Sequence, residues 1–182
     1  MPITRVPVRL QILRAMTAAL KEINPTNGYE FDLRDDADGV QRVVRGRLHI
    51  GEDEPVPMVS IIEPSMAPEP LSTQRQPDNT GHAGQWDLVV QGWANDDKSN
   101  PTDVGYQLMQ EVRRRLAAEK PARTGRPSSM GGITIFGFPS EVIENMTIGT
   151  PVVRPNEHIS EQAVFYLVVT LTIHEDIMAL LG

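Results

Sequence analysis

The chain has 182 residues, with 17 Lys and Arg against 24 Asp and Glu. The resulting net charge of −7 disfavours nucleic-acid binding as a main task, because the phosphate backbone attracts basic surfaces. The absence of cysteine excludes disulfides, thiolate nucleophiles and cysteine-ligated metal sites. No apolar run reaches the roughly 20 residues of a membrane-spanning helix, and the first residues lack the apolar core of a signal peptide, so we expect folding in the cytoplasm.

Hydrophobic periodicity predicts two helices and a series of strands. Apolar residues recur every three or four positions in both helices, whereas the strands are short β-branched runs or alternating segments. In chain order we predict a helix over Val6–Ile23, strands over Tyr29–Leu33, Val40–Ile50, Met58–Ile62 and Trp86–Ala94, a helix from Asn100 to about Glu119, and strands over Ile133–Phe138, Val142–Ile148 and Gln162–His174. This order predicts an α+β fold, a mostly antiparallel sheet with two amphipathic helices packed on one face and long exposed loops.

Five of these segments carry more detailed expectations. Tyr29–Leu33 and Val40–Ile50 flank an acidic Asp-Gly turn, which favours an antiparallel hairpin between them. Met58–Ile62 and Gln162–His174 are apolar on both sides, which is typical of interior strands. Gly92 interrupts an apolar strand face, where a glycine indicates a bulge or a close approach of another backbone segment.

Two segments rich in Pro, Gly and polar residues are predicted to be flexible arms, about 63–85 and 120–132, of a single domain spanning residues 1–182. Loops of this length are uncommon in a compact domain unless they are functional or disordered. We expect the arms to become ordered against a neighbouring chain. The candidate contact residues are Glu63, Met66, Leu71, Gln74, Arg75, Arg123 and Arg126.

The polar residues form no recognisable catalytic pattern. The four histidines, His49, His82, His158 and His174, lack the spacings of helix-borne metal sites. Phosphate-binding glycine loops and a nucleophile elbow are absent from the sequence. We therefore expect neither enzymatic activity nor a cofactor.

Two charged runs have ordinary structural explanations beside functional ones. The acidic turn Asp35–Gly39 has arginines where the first and last ligands of a calcium loop must be carboxylates, so a solvated turn is favoured over a metal site. The basic run Arg113–Arg115 lies near a helix C-terminus, where the helix dipole and a Glu111–Arg115 pair favour it. The alternative is that this run forms, with Lys120, Arg123 and Arg126, a patch that meets an acidic protein partner or passing DNA.

The order of elements resembles that of the tail terminator, or tail completion, proteins of long-tailed bacteriophages. The resemblance covers nearly the whole chain and consists of element order and short matching stretches. These stretches are the opening helix from Arg9 to Ile23, Val43–Gly46, Ser60–Pro64, Leu88–Trp93, the helix after Asn100-Pro101-Thr102, and the final strand Ala163–Ile173.

The resemblance implies a virion structural protein, assembled in the host cytoplasm, that forms a hexameric ring on the head-proximal end of the tail tube. Such a ring stops tube polymerisation and presents a docking surface to the head–tail connector. Its partners would be copies of itself, the major tail tube protein, the connector and, in contractile tails, the sheath. DNA would only pass through an acidic lumen. The candidate lumen-facing residues are Asp35, Asp36, Asp38, Glu52, Asp53 and Glu54.

Three alternatives stay open on the sequence alone. Another neck protein, a head–tail connector or stopper, would join portal complexes in the absence of a tail. A tail-tube or baseplate subunit would polymerise by itself or nucleate the distal end. A small hydrolase would need a polar cleft around one of the four histidines.

Overall fold

The structure, a computed structural model, describes residues 6–51, 54–64, 81–95, 99–100, 102–120, 134–155 and 162–176. Its helices are α1 (Val8–Lys21) and α2 (Asp103–Ala118), with a short 3-10 turn over Pro25–Asn27. Its strands are β1 (Val43–Arg45), β2 (Met58–Ile62), β3 (Gly81–Asn95), β4 (Thr134–Ile135), β5 (Phe138–Pro139), β6 (Ile143–Ile148), β7 (Val152–Pro155) and β8 (Gln162–Asp176). None of the helices in these ranges is long and apolar enough to cross a membrane.

Six of the strands form one sheet in the order β1-β2-β3-β8-β6, and β7 pairs with β8 on the same side as β6. The centre of the sheet is the antiparallel pair β3–β8, which runs without a break from Gly81 opposite Asp176 to Asn95 opposite Gln162. Within the described ranges, β1 and β2 are the only strands that pair in parallel. Strands β4 and β5 form a separate two-stranded hairpin. The predicted α+β class with a mostly antiparallel sheet is confirmed.

The main hydrophobic core lies between the two helices and one face of the sheet, here called the helix face. Alternate residues of β3 and β8 point to this face, as the period of two in a strand requires. The buried residues on the strands include Trp86, Leu88, Val90, Phe165, Leu167, Val169 and Leu171, and those on the helices include Ile12, Met16, Leu20, Leu108, Val112 and Leu116. Both predicted amphipathic stripes are therefore buried, and the helices pack on one face.

A second, smaller cluster lies on the opposite face of the sheet, here called the outer face. Met58, Trp93 and Val164 are buried there, and the half-buried Ile50 and Val56 pack against them. The segment between β1 and β2 thus crosses the outer face. All five residues of β2 are consequently buried, which confirms it as an interior strand.

The glycine in the middle of β3 leaves space for an aromatic ring of β8. Gly92 lies opposite Phe165, and a Cβ atom built on this glycine would be 2.1 Å from Phe165 Cε1. The prediction of a bulge or a close backbone approach at Gly92 is wrong, because the pairing with β8 is unbroken there and the group that approaches is the Phe165 side chain. On α2, Gly105 plays a similar role, because a Cβ there would lie 2.9 Å from Ala163 Cβ and 3.0 Å from Val153 Cγ1.

The predicted hairpin between Tyr29–Leu33 and Val40–Ile50 is wrong. The first segment is not a strand, and within the second only Val43–Arg45 is a strand, which pairs in parallel with β2. The Asp-Gly turn does form, with Gly39 at φ 80° and its N–H donating to Asp36 O at 2.9 Å. It turns the chain towards β2 instead of back along the preceding segment.

Strand boundaries differ from the prediction in three further places. β3 begins at Gly81, so the predicted arm over 63–85 cannot extend through 85. The predicted strand Ile133–Phe138 is broken at Phe136 and Gly137, whose φ angles of 53° and 79° form the turn of the β4–β5 hairpin. β7 was not predicted, because it has only four residues and ends in Pro155, which is tolerated at a sheet edge.

Candidate assembly surfaces

The six-stranded sheet ends at two different edges. At one of them lies β1, and among the described residues no further strand pairs with it beyond β2. At the other, β6 and β7 follow one another along β8. We call these the β1 edge (Val43–Arg45) and the β6–β7 edge (Ile143–Pro155). Backbone N–H and C=O groups at such edges can pair with a strand of another chain.

A groove of about 380 Å³ runs between α1 and the β1 edge. Its lining residues are Thr17, Lys21, Gln41, Val43, Val44, Arg45 and Arg47. Two of its cations are paired within the chain: Lys21 Nζ lies 2.7 Å from Asp35 Oδ2, and Arg47 pairs with Glu54. Arg45 is exposed and makes no ion pair with the described residues. The groove is therefore polar and positively charged beside an open strand edge.

The β6–β7 edge carries its charges in the order acidic, then basic. Glu141 and Glu144 are exposed at its beginning, and the Glu144 side chain is 60% exposed and 3.3 Å from His174 Nε2. Near its end, the Arg154 guanidinium carbon lies 4.9 Å from the centre of the Tyr166 ring. The edge thus offers carboxylates at the N-terminal end of β6 and a cation near the C-terminal end of β7.

The outer face next to this edge is less covered than the helix face. Val152 is 56% exposed and Val168 is 42% exposed, and both neighbour Tyr166. A hydrogen bond of 2.6 Å from Thr170 Oγ1 to Asp87 Oδ1 continues the surface across β3. This flat area of small apolar and hydroxyl side chains is suited to packing against another protein surface.

Most of the predicted lumen-facing carboxylates that the structure describes are paired with cations of the same chain. Asp35 contacts Lys21, Asp36 accepts from Arg42 Nη2 at 2.8 Å, and Glu54 pairs with Arg47. Asp38 is exposed in its turn. Glu52 and Asp53 lie outside the described residues, and an acidic lumen stays a prediction.

The predicted contact residues of the two arms are mostly beyond what the structure describes. Glu63 directly follows β2 and is exposed. The other six, Met66, Leu71, Gln74, Arg75, Arg123 and Arg126, lie outside the described residues. Their role as contacts stays a prediction.

The basic run at the end of α2 is not one surface patch. Arg114 stacks on Tyr29, with its guanidinium carbon 4.1 Å from the ring centre. Arg115 pairs with Glu119 and its Nε donates to Ala19 O at 3.0 Å. Two of the three arginines therefore serve contacts within the fold, and the predicted Glu111–Arg115 pair is wrong.

Glu111 instead holds the segment that follows the 3-10 turn. Its carboxylate accepts the backbone N–H of Glu30 at 2.7 Å and that of Phe31 at 3.1 Å. These bonds satisfy backbone groups that the predicted strand would have paired in a sheet. No local sequence pattern indicates this role, because the residues involved are far apart in the chain and only the fold brings them together.

Chemically reactive side chains are not gathered in any one place in the part of the chain that the structure describes. His49 and His174 are both exposed, His158 lies outside the described residues, and of His82 only the backbone is described. The described residues contain no group of three or more His, Cys, Asp or Glu side chains able to hold a metal ion. The resolved pKa shifts are at Asp32, where a hydrogen bond from Arg34 lowers the carboxyl pKa, and at Arg34 itself, whose pKa is raised by the same bond.

Comparison with known proteins adds one match to a solved structure. No family model and no curated protein matches the chain. Among solved structures, a chain from "Virion of native gene transfer agent (GTA) particle" aligns over 93% of this chain and 92% of its own length, with a TM-score of 0.41 and 15% sequence identity. A TM-score at this level does not establish a shared fold, so a function must be argued from the features of this chain.

Proposed function

We propose that the chain is a structural protein of a phage-like virion, whose copies form a ring of six on the head-proximal end of the tail tube. The ring stops tube polymerisation and provides the docking surface for the head–tail connector. The observation that carries this proposal is that one sheet ends in two different edges, the β1 edge and the β6–β7 edge, with which no further strand of the described residues pairs.

A closed ring of identical subunits uses heterologous contacts, in which one surface of each copy meets a different surface of the next. The two edges lie at opposite ends of the strand order and differ in charge pattern and length. They therefore fit head-to-tail closure. The element order that resembles tail terminators, with a helix first, a second helix after the long β3 and a long strand last, is also the order in the fold.

In this function the protein binds other virion proteins and catalyses no reaction. Its partners are further copies of itself, the tail tube protein, the connector and, in a contractile tail, the sheath. DNA passes through the ring without being bound, in keeping with the net charge of −7. The protein would be found in the neck of the virion after assembly in the host cytoplasm.

The mass of the purified protein in solution tests the proposal, measured by light scattering alone and with purified tail tubes. We expect a species near six times the 20.2 kDa subunit mass, or a cap visible on one end of the tubes by electron microscopy. A protein that stays monomeric and ignores tubes contradicts the proposal. Binding to portal complexes without tubes identifies a connector or stopper instead, and spontaneous filaments identify a tube subunit.

A further inference from the structure

We infer that β1 of one copy pairs in an antiparallel manner with β6 of the next copy, so that the sheets of neighbouring subunits join into one continuous sheet around the ring. This inference rests on the proposed ring. It adds the interface itself: which strand edges meet, in which direction, and with which charges.

The direction follows from the topology of a single copy. β1 and β2 are parallel, whereas β2–β3, β3–β8 and β8–β6 are each antiparallel. β1 and β6 therefore point in opposite directions within one copy. Rotation about a ring axis preserves the inclination of every strand to that axis, so β6 of one copy meets β1 of the next in antiparallel orientation. Antiparallel ladders are slightly the more stable kind.

The order of charges along the two edges fits this direction. β1 is preceded by the acidic turn and by Arg42, which pairs with Asp36 of that turn; it ends at Arg45 and is followed closely by Arg47. The β6–β7 edge begins with Glu141 and Glu144 and ends near Arg154. Antiparallel pairing places the glutamates beside the arginines of β1 and Arg154 towards the acidic turn. Parallel pairing would place like charges together, which is unfavourable across an interface.

Among the described residues, the surroundings of the β1 edge leave room for an added strand. The groove between α1 and β1 lies on the helix side of the edge. On the outer side, Val44 is half-buried against the outer-face cluster. In β6, Asn145 and Thr147 are exposed on the same outer face, opposite Thr172 and Thr170 of β8. Val44 and these two residues would therefore share a face after pairing.

Pairing of β1 with β1 about a two-fold axis is the main competing arrangement. It would leave the β6–β7 edge of both copies open, whereas head-to-tail pairing uses each edge once. Open edges expose unpaired backbone groups and favour uncontrolled association. The two arrangements differ in which residues lie opposite one another, so cross-linking can separate them.

Because the chain has no cysteine, disulfide cross-linking provides a direct test. We would combine Val44→Cys with Asn145→Cys in one variant and with Thr147→Cys in a second. Directly opposite residues in antiparallel strands have Cα atoms about 4.5–5.5 Å apart, which suits a disulfide. Within one copy the two cysteines lie four strand spacings apart, roughly 19 Å, so an internal disulfide cannot form.

Oxidation of assembled rings should give a ladder of cross-linked species up to the hexamer for one of the two variants, reversed by reductant. Each single-cysteine variant should stay uncross-linked. The control pair Lys120→Cys with Thr147→Cys, in which Lys120 is exposed at the end of α2, should give no ladder. Dimers from Val44→Cys alone would overturn the inference in favour of two-fold pairing.

Reversal of a surface charge gives a second measurement that does not depend on the half-buried Val44. Arg45→Glu should raise the concentration at which half of the rings dissociate by about tenfold, because it places a carboxylate beside Glu141 and Glu144. Lys120→Glu makes the same charge change elsewhere and should leave that concentration unchanged. Intact rings with no ladder and no effect of Arg45→Glu would reject edge pairing while keeping the ring. Absence of rings even on tubes would reject the proposed function instead.

Discussion

Gly92 and Phe165 lie opposite each other in β3 and β8, and the phenyl ring occupies the space that a side chain at position 92 would need. Phe165 is completely buried in the main core. Its ring cannot move aside without displacing neighbours, because protein interiors are packed to the density of organic crystals. The missing Cβ atom therefore gives the Phe165 ring its place in the core beneath the helices.

Gly92→Ala should lower the free energy of unfolding by about 1–3 kcal/mol, the usual cost of inserting a methyl group into a filled core. Urea denaturation, monitored by circular dichroism, measures this change in the free energy of unfolding. Gly51→Ala is the matched control, since its Cβ would meet nothing closer than Glu54 Cγ at 3.8 Å, and it should change stability by less than about 0.5 kcal/mol. Phe165→Leu combined with Gly92→Ala should recover part of the loss, and equal effects of both glycine variants would contradict the explanation.

Asp32 and Arg34 form a local pair whose contribution depends on pH. The side-chain hydrogen bond from Arg34 lowers the pKa of Asp32 below its ordinary value of 3.8. A carboxyl whose pKa is lowered by folding stabilises the protein above its unfolded-state pKa, and this stabilisation is lost as the pH falls through the folded-state pKa. The pair can therefore act only when Asp32 is ionised.

Asp32→Asn should cost less than about 1 kcal/mol at pH 7, because both side chains are largely exposed. The difference from the parent protein should shrink when denaturation is repeated below pH 3.8. In Arg34→Gln, the pKa of Asp32 measured by NMR titration should return towards its ordinary value. If the stability difference between Asp32→Asn and the parent protein were unchanged in acid, the contribution of Asp32 would not depend on its ionisation.

At the scale of secondary structure elements, α2 organises the first part of the chain as well as the sheet. Its Leu108, Val112 and Leu116 fill the main core. Its polar side binds the segment after the 3-10 turn through Glu111, and Arg114 Nη2 donates to Gly28 O at 2.8 Å. One helix thus determines why residues 29–33 are irregular and not part of the sheet.

Glu111→Ala should destabilise the protein by about 1–3 kcal/mol, because two backbone N–H groups lose a charged acceptor. Hydrogen exchange should also become faster at Glu30 and Phe31. Gln110→Ala, on the exposed side of the same helix, is the control and should change neither quantity. Unchanged protection of Phe31 in Glu111→Ala would mean that the segment is held in place by other contacts.

The elements with strong periodicity could be predicted from the sequence, and those that depend on distant partners could not. Both helices, β2 and the long β8 follow from patterns that local physics enforces. The hairpin prediction failed even though its Asp-Gly turn forms, since a turn rule contains no information about Glu111. The sequence places candidate contact residues in the arms, but it does not tell which strands lie at the ends of the sheet, because this depends on the parallel pairing of β1 with β2.

At the scale of the whole molecule, the two faces of the sheet differ in what they do for stability. The helix face carries the main core, and the outer face carries a small cluster and an exposed area around Val168. Two adjacent residues of β8 lie on opposite faces of the sheet: Leu167, on the helix face, is completely buried, whereas Val168, on the outer face, is 42% exposed. The pair allows the two faces to be compared with changes of similar size.

Leu167→Ala should lower the free energy of unfolding by about 2–5 kcal/mol through the cavity it creates. Val168→Ala should cost less than about 1 kcal/mol, since much of its side chain already contacts solvent. Thermal unfolding of both variants at the same protein concentration measures the difference. Equal losses would mean that the outer face is covered in the free protein.

The long pairing between β3 and β8 also constrains when the protein can begin to assemble. β8 follows every other strand in chain order and is the strand through which β6 and β7 join the rest of the sheet. Contacts between residues so far apart in sequence require closure of a long loop, which slows folding. During synthesis on the ribosome, the edge of β3 that pairs with β8 stays unpaired until β8 itself has been synthesised. Only a finished chain can then present both edges at once, so ring growth would recruit completed subunits and could not start on nascent ones.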